Sequence, residues 1–145
     1  MMIEPDTIKL LRECDAGVKM GIASITDVVG HVTSEELRRL LTDSRTDHET
    51  IESELRSLLN RYGDDGKAPS AIAKGMSHMK TEMKLAMDES DSTVASLMTD
   101  GCDMGVKSLS RYLNQYKAAE EDAKDIAKRL ISIEDRLGSD LRTFL

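Results

Sequence analysis

The sequence predicts an all-α fold: a four-helix bundle made of two duplicated helical hairpins, joined by a long crossover that contains a short Met-rich helix. Three observations carry that expectation. Apolar residues recur at helical spacing along almost the whole 145-residue chain, which is long enough for one domain with a real core. Aromatic residues are 3% of the composition and Trp is absent, so the core must be aliphatic and Met-filled, which suits helices better than a sandwich or barrel. The chain also repeats itself. At an offset of 84, Gly17/Gly101, Met20/Met104, Gly21/Gly105 and Ser24/Ser108 are identical. At an offset of 86, Ser53-Glu-Leu-Arg-Ser-Leu-Leu59 matches Ser139-Asp-Leu-Arg-Thr-Phe-Leu145.

The elements follow in order. Pro5-Asp6 precedes a helix over residues 7–29, whose stripe is Ile8, Leu11, Val18, Ile22, Ile25 and Val29. Gly30 is expected to end it in a left-handed cap conformation. Thr33-Ser-Glu-Glu36 reads as a capping box opening a helix over 34–61, with Leu37, Leu40, Ile51, Leu55 and Leu58 on one face. A connection this short makes the two helices antiparallel neighbours (hairpin 7–61). Gly63-Asp-Asp-Gly66 and the following Pro69-Ser70 form the clearest break and open the crossover, 62–91. Within it, a helix over 71–88 places Ile72, Met76, Met79, Met83 and Met87 on one stripe. Asp88-Glu-Ser90-Asp-Ser92 then caps the second hairpin, 92–145. Its helices cover 92–116 (Ala95, Met98, Cys102, Val106, Leu109, Leu113, Tyr116) and 120–143 (Ile126, Leu130, Ile133, Leu137, Leu141, Phe144).

A crossover of about thirty residues can travel the length of a bundle, and two antiparallel hairpins joined that way form the ferritin-like arrangement. Met-Gly-Ile at 20–22, Met-Gly-Val at 104–106, Met83, Met87-Asp88 and Leu113-Asn-Gln-Tyr116 carry a resemblance that covers almost the whole chain. By these marks the chain resembles a family of small bacterial ferritin-like four-helix-bundle proteins of unknown function. The resemblance implies the fold and brings no activity with it.

Charge and motifs narrow the function. The net charge of −7 comes with no basic patch for a nucleic-acid backbone or an anionic membrane, so neither is an expected partner. No apolar run approaches a membrane span, and Met1-Met-Ile-Glu-Pro-Asp6 shows no export signal, so the expected location is cytoplasmic. There Cys14 and Cys102 would be reduced, and helix rise places them about 12 Å apart along the bundle axis, too far for a disulfide. No Ser-His-Asp set, phosphate loop or Cys-x-x-Cys appears, so no catalytic residues are assigned.

A di-iron bundle needs Glu-x-x-His on two helices, and the chain has none. A single transition metal has one candidate set, Asp47, His48, Glu134 and Cys102, with Asp15 and Cys14 nearby. The stronger expectation for the same residues is a His48–Glu134 hydrogen-bonded pair at a bundle edge, with Ser44 bonded to backbone. His31 and His78 are expected to face solvent. Gly17, Gly21 and Ser24, with Gly101, Gly105 and Ser108, are expected to line a close seam between the first helix and that of 92–116.

Methionine raises the last question. The crossover helix is expected to lie over that seam and cover Met20 and Met104 with Met76, Met79, Met83 and Met87; otherwise these six form an interface with a second copy or another protein. The function expected is a non-catalytic structural or interaction module, self-associating as a dimer, with no cofactor. The alternative is a degenerate iron-, manganese- or zinc-binding protein.

Overall fold

Every expected helix forms, with ends within two residues of those read from the sequence. The computed structural model describes residues 4–145, as α1 (Pro5–Val29), α2 (Glu35–Arg61), α3 (Ala71–Met87), α4 (Asp91–Gln115) and α5 (Glu121–Leu141), followed by a 3-10 turn, Arg142–Phe144. No strand occurs among the described residues.

Two helix ends differ from expectation. Gly30 is right-handed (φ −71°, ψ −14°), not left-handed, and the chain leaves α1 through a bond from His31 N–H to the Val28 carbonyl. The cap of α2 is Ser34, whose hydroxyl accepts the Leu37 N–H at 3.2 Å, so the box closed by Thr33 and Glu36 does not form. The reason lies far along the chain: the Asp91 carboxylate accepts the N–H groups of Thr33 (2.8 Å) and Ser34 (3.0 Å). At the other end of α2, Gly63 is left-handed (φ 70°). Bonds from Gly63 N–H to Asn60 O and from Asp64 N–H to Leu59 O then satisfy two of the helix's last carbonyls.

Hydrogen bonds between the helix ends set the directions. The Asp91 contact places the start of α4 beside the end of α1. The Ala118 N–H donates to Asp6, and the Glu120 N–H to the Thr7 hydroxyl, so the α4–α5 connection lies beside the start of α1. Thus α4 runs antiparallel to α1, and α5 parallel to it. Pairing of Glu54 with Arg129 and of His48 with Glu134 makes α2 and α5 antiparallel. The four long helices pack as a bundle.

The segment between α2 and α4 runs along α1. Lys67 N–H donates to Asp15 and its ammonium to Glu13; further on His78 meets Asp27 at 3.3 Å, and Glu89 meets His31. Gly66 (φ 83°) passes so close to the Asp15 carboxylate that no side chain would fit there. His31 and His78 are both partly exposed, as expected.

The position of α3 corrects the sequence reading. It rests on α1 and α4 through the face bearing the buried Thr81 and Leu85. Ile72, Met76, Met79, Met83 and Met87 therefore point outward, each 62–85% exposed, and Met104 stays uncovered.

The core divides into two apolar groups. Leu10, Leu11, Val18, Leu55, Leu109 and Leu130 belong to one, and Ile25, Leu37, Leu41, Leu85, Met98 and Leu137 to the other.

Candidate functional site

Between the two apolar groups lies a polar layer. Inward stripes run through Val18, Gly21 and Ile25 on α1 and through Cys102, Gly105 and Leu109 on α4. The facing stripes are Ser44, His48 and Ile51 on α2 and Leu130, Glu134 and Leu137 on α5. At mid-height the four helices thus contribute Gly21, His48, Gly105 and Glu134.

His48 is fully buried, and its Nε2 lies 2.5 Å from Glu134 Oε1. Its Nδ1 lies 2.7 Å from the carbonyl oxygen of Ser44. A carbonyl can only accept, so Nδ1 carries a proton, and the second proton sits between Nε2 and the carboxylate. Burial pushes the His48 pKa down, but the Glu134 hydrogen bond and charge, aided by the Ser44 carbonyl, outweigh it, and the pKa is raised. The layer therefore holds a hydrogen-bonded His48–Glu134 pair in the middle of the core, not at a bundle edge.

The repeated glycines make room for that pair. A Cβ on Gly21 would lie 2.8 Å from His48 Cδ2 and Nε2, and 3.2 Å from Glu134 Oε1. A Cβ on Gly105 would lie 3.3 Å from Glu134 Oε2. This corrects the seam reading of the six small residues. Gly17 does sit at the α1–α4 contact, 3.8 Å from Leu109 in the same sense, but Gly101 is exposed with nothing near it. Ser24 and Ser108 are half-buried.

The metal candidates are only partly assembled. Cys102 lies beside Glu134, and burial first, then the Glu134 charge, pushes its thiol well above the ordinary range. Asp47 is turned out of the core, half exposed, 3.7 Å from Arg136. That follows from helix geometry, since neighbouring residues on α2 point about 100° apart and His48 takes the inward position. Asp15 is held by Lys19 at 2.8 Å and by the Lys67 N–H. Cys14 is buried in the apolar group of Leu10 and Leu11, its thiol pushed up to about 12 by burial, Glu13 and Asp15. Both cysteines are free thiols. Among the described residues no group of three or more His, Cys, Asp or Glu could hold a metal ion.

Ser44 departs from expectation in one respect. Its carbonyl serves His48, but its buried hydroxyl has no hydrogen-bond partner.

A second feature lies outside the bundle. Met76, Met79, Lys80, Met83, Lys84 and Met87 line an open apolar groove of about 270 Å³ on α3. Met104 is exposed on α4, whereas Met20 is half-buried on α1, so the six methionines do not form one surface.

Sequence reasoning paired His48 with Glu134 but missed that Gly21 and Gly105 complete the same layer, although a signal existed. His48 and Glu134 are separated by 86, the offset that relates the two Ser-[Glu/Asp]-Leu-Arg segments, and Gly21 and Gly105 by 84. No family model, no curated protein and no solved structure matches this chain.

Proposed function

We propose that this chain is a non-catalytic interaction module of ferritin-like architecture, arisen by duplication of a helical hairpin, whose working surface is the outward face of α3. One observation carries this reading: α3 uses Thr81 and Leu85 to hold the bundle and leaves Ile72, Met76, Met79, Met83 and Met87 in solvent. A contiguous exposed apolar stripe of this kind marks a docking site, and Met suits it because its unbranched side chain adapts to a partner's shape. The ferritin-like reading is supported by the helix directions and by the long segment that runs along α1 between the hairpins.

The polar layer supports a structural role over a metal centre. Both nitrogens of His48 are engaged, one by a carbonyl and one by Glu134, so neither lone pair is free for a metal. Stoichiometric iron, manganese or zinc in protein purified without chelator, lost in a His48→Ala variant, would replace this reading with the metal-binding one.

Methionine oxidation footprinting tests the docking surface. Met76, Met79, Met83 and Met87 are expected to oxidise more slowly in intact cells than in dilute purified protein, with Met104 changing less. Equal rates at the four α3 positions in both settings would show the face unoccupied and overturn the proposal.

A further inference from the structure

Resting on the docking reading above, we propose that the occupant of the α3 face is the same face of a second copy of this chain, the two α3 helices lying side by side and pointing the same way. The charges beside the stripe select that arrangement. At about 100° per residue, Ile72, Met76, Met79, Met83 and Met87 share a sector whose centre lies opposite the buried Thr81 and Leu85. Lys80 and Lys84 border one edge of that sector, and Glu82 borders the other. The face therefore has one basic edge and one acidic edge.

A twofold axis parallel to the helices turns the basic edge of each copy against the acidic edge of the other. In register, each Glu82 stands midway in height between Lys80 and Lys84 of the other copy, about 3 Å from either along the axis. Ile72, Met76, Met79 and Met83 alternate spacings of four and three, so each packs beside its own counterpart along a parallel two-stranded seam. An antiparallel pair would instead set lysines against lysines on one side and Glu82 against Glu82 on the other. The face thus carries both halves of its own contact, in one orientation.

Repulsion between two bodies of charge −7 is weak across this contact. Because the stripe points away from the bundle, both α3 helices lie between the bodies, and three helix spacings hold these about 25 Å apart. That is about three Debye lengths at physiological salt, whereas Glu82 and the lysines meet directly. Other occupants meet a mismatched edge. A uniformly acidic helix or an anionic membrane gains Lys80 and Lys84 on one side and is opposed by Glu82 on the other.

Cross-linking of the full chain through Met76→Cys and Met83→Cys tests the orientation, since the native Cys14 and Cys102 are buried. Under mild oxidation each variant alone is expected to give a disulfide-linked dimer, and mixing the two should add no mixed dimer. Any antiparallel register brings at most one of these positions onto itself, because they lie seven residues apart. Sedimentation tests the charges. The wild type is expected to dimerise as concentration rises, and Met79→Asp/Met83→Asp should keep it monomeric. Glu82→Lys should raise the dissociation constant about fivefold, although it makes the body less acidic. Lys80→Glu/Glu82→Lys/Lys84→Glu exchanges the two edges and should restore self-association without mixing with the wild type. Circular dichroism checks that each variant keeps its helices.

Cross-linking in the mixture in place of the separate variants would overturn the proposal. So would a Glu82→Lys dimer as tight as the wild type, or a dimer that Met79→Asp/Met83→Asp leaves intact. A monomer at every concentration, with the α3 methionines still oxidising more slowly in cells, would overturn the second copy and give the face to another partner. A monomer with equal oxidation in both settings would remove the docking face itself.

Discussion

A glycine inside a helix costs about 1 kcal/mol relative to alanine unless its missing side chain leaves space that something else uses. Gly21 and Gly101 show the two cases. The space above Gly21 is filled by the His48 ring, which cannot retreat because Ser44 holds one side of it and Glu134 the other. Gly101 is exposed, and nothing lies within 4 Å of its missing Cβ. Gly21→Ala is therefore expected to destabilise the protein by about 1–3 kcal/mol through overpacking, despite the better helix former. Gly101→Ala should stabilise it by about 0.5–1 kcal/mol. Urea denaturation midpoints measure both, and a stabilising Gly21→Ala would show that the layer has slack. The sequence marked each as half of a repeated pair, Gly21 with Gly105 and Gly101 with Gly17, yet could not separate the two cases, because glycine carries no hydropathy to say which one faces inward.

Among elements, α3 is the one held most lightly. Only Thr81 and Leu85 are buried along its length, whereas each of the other four helices buries at least five residues. Its amides should exchange with deuterium well before those of α1, α2, α4 and α5, in a local opening that leaves the bundle intact. Mass-spectrometric exchange would show this, and equal protection in α3 and α5 would contradict it. All five helices were legible in the sequence because the apolar period of each is strong, and for α2, α3 and α4 a capping serine (Ser34, Ser70, Ser90) marks the start. The outward turn of α3 was not, since periodicity says which residues share a face and nothing about what covers that face. The cap of α2 was misplaced for a related reason: Asp91, which fixes Thr33 and Ser34, lies on a different hairpin.

At the scale of the whole molecule, the polar layer links global stability to pH. The charged groups that act on His48 are Glu134 from α5, in contact, and Asp47 on its own helix, at longer range; Cys102 of α4 lies beside Glu134, and α1 presents only Gly21. Because the folded-state pKa of His48 is raised, its contribution is complete below the unfolded value of about 6.5 and is lost as pH rises through the higher folded value. The thermal midpoint of the wild type should therefore fall as pH is raised from about 6.5 toward 8. His48→Gln should flatten that slope. The interval stops there because both buried thiols, whose pKa values are also raised, add a separate loss above about pH 8.5 in either protein. Identical slopes in the two proteins would show that His48 does not carry the proton. The partners in this layer were legible before the structure, as positions 86 apart on opposite hairpins; their depth in the core was not, because an ionisable pair carries no apolar period to place it.

The bond between His48 and Glu134 joins the first hairpin to the second, across 86 residues of chain. It is an alignment key. Sliding α2 by one turn along α5 would set His48 against Leu130 or Leu137 and strand two buried polar groups among aliphatic side chains. Yet the key reads only side chains, and cannot tell whether the hairpin it fits belongs to its own chain. The same layer that forbids a slipped bundle would accept a hairpin traded from a neighbouring molecule, with the segment from Tyr62 to Ser90 as the tether that keeps each hairpin at home.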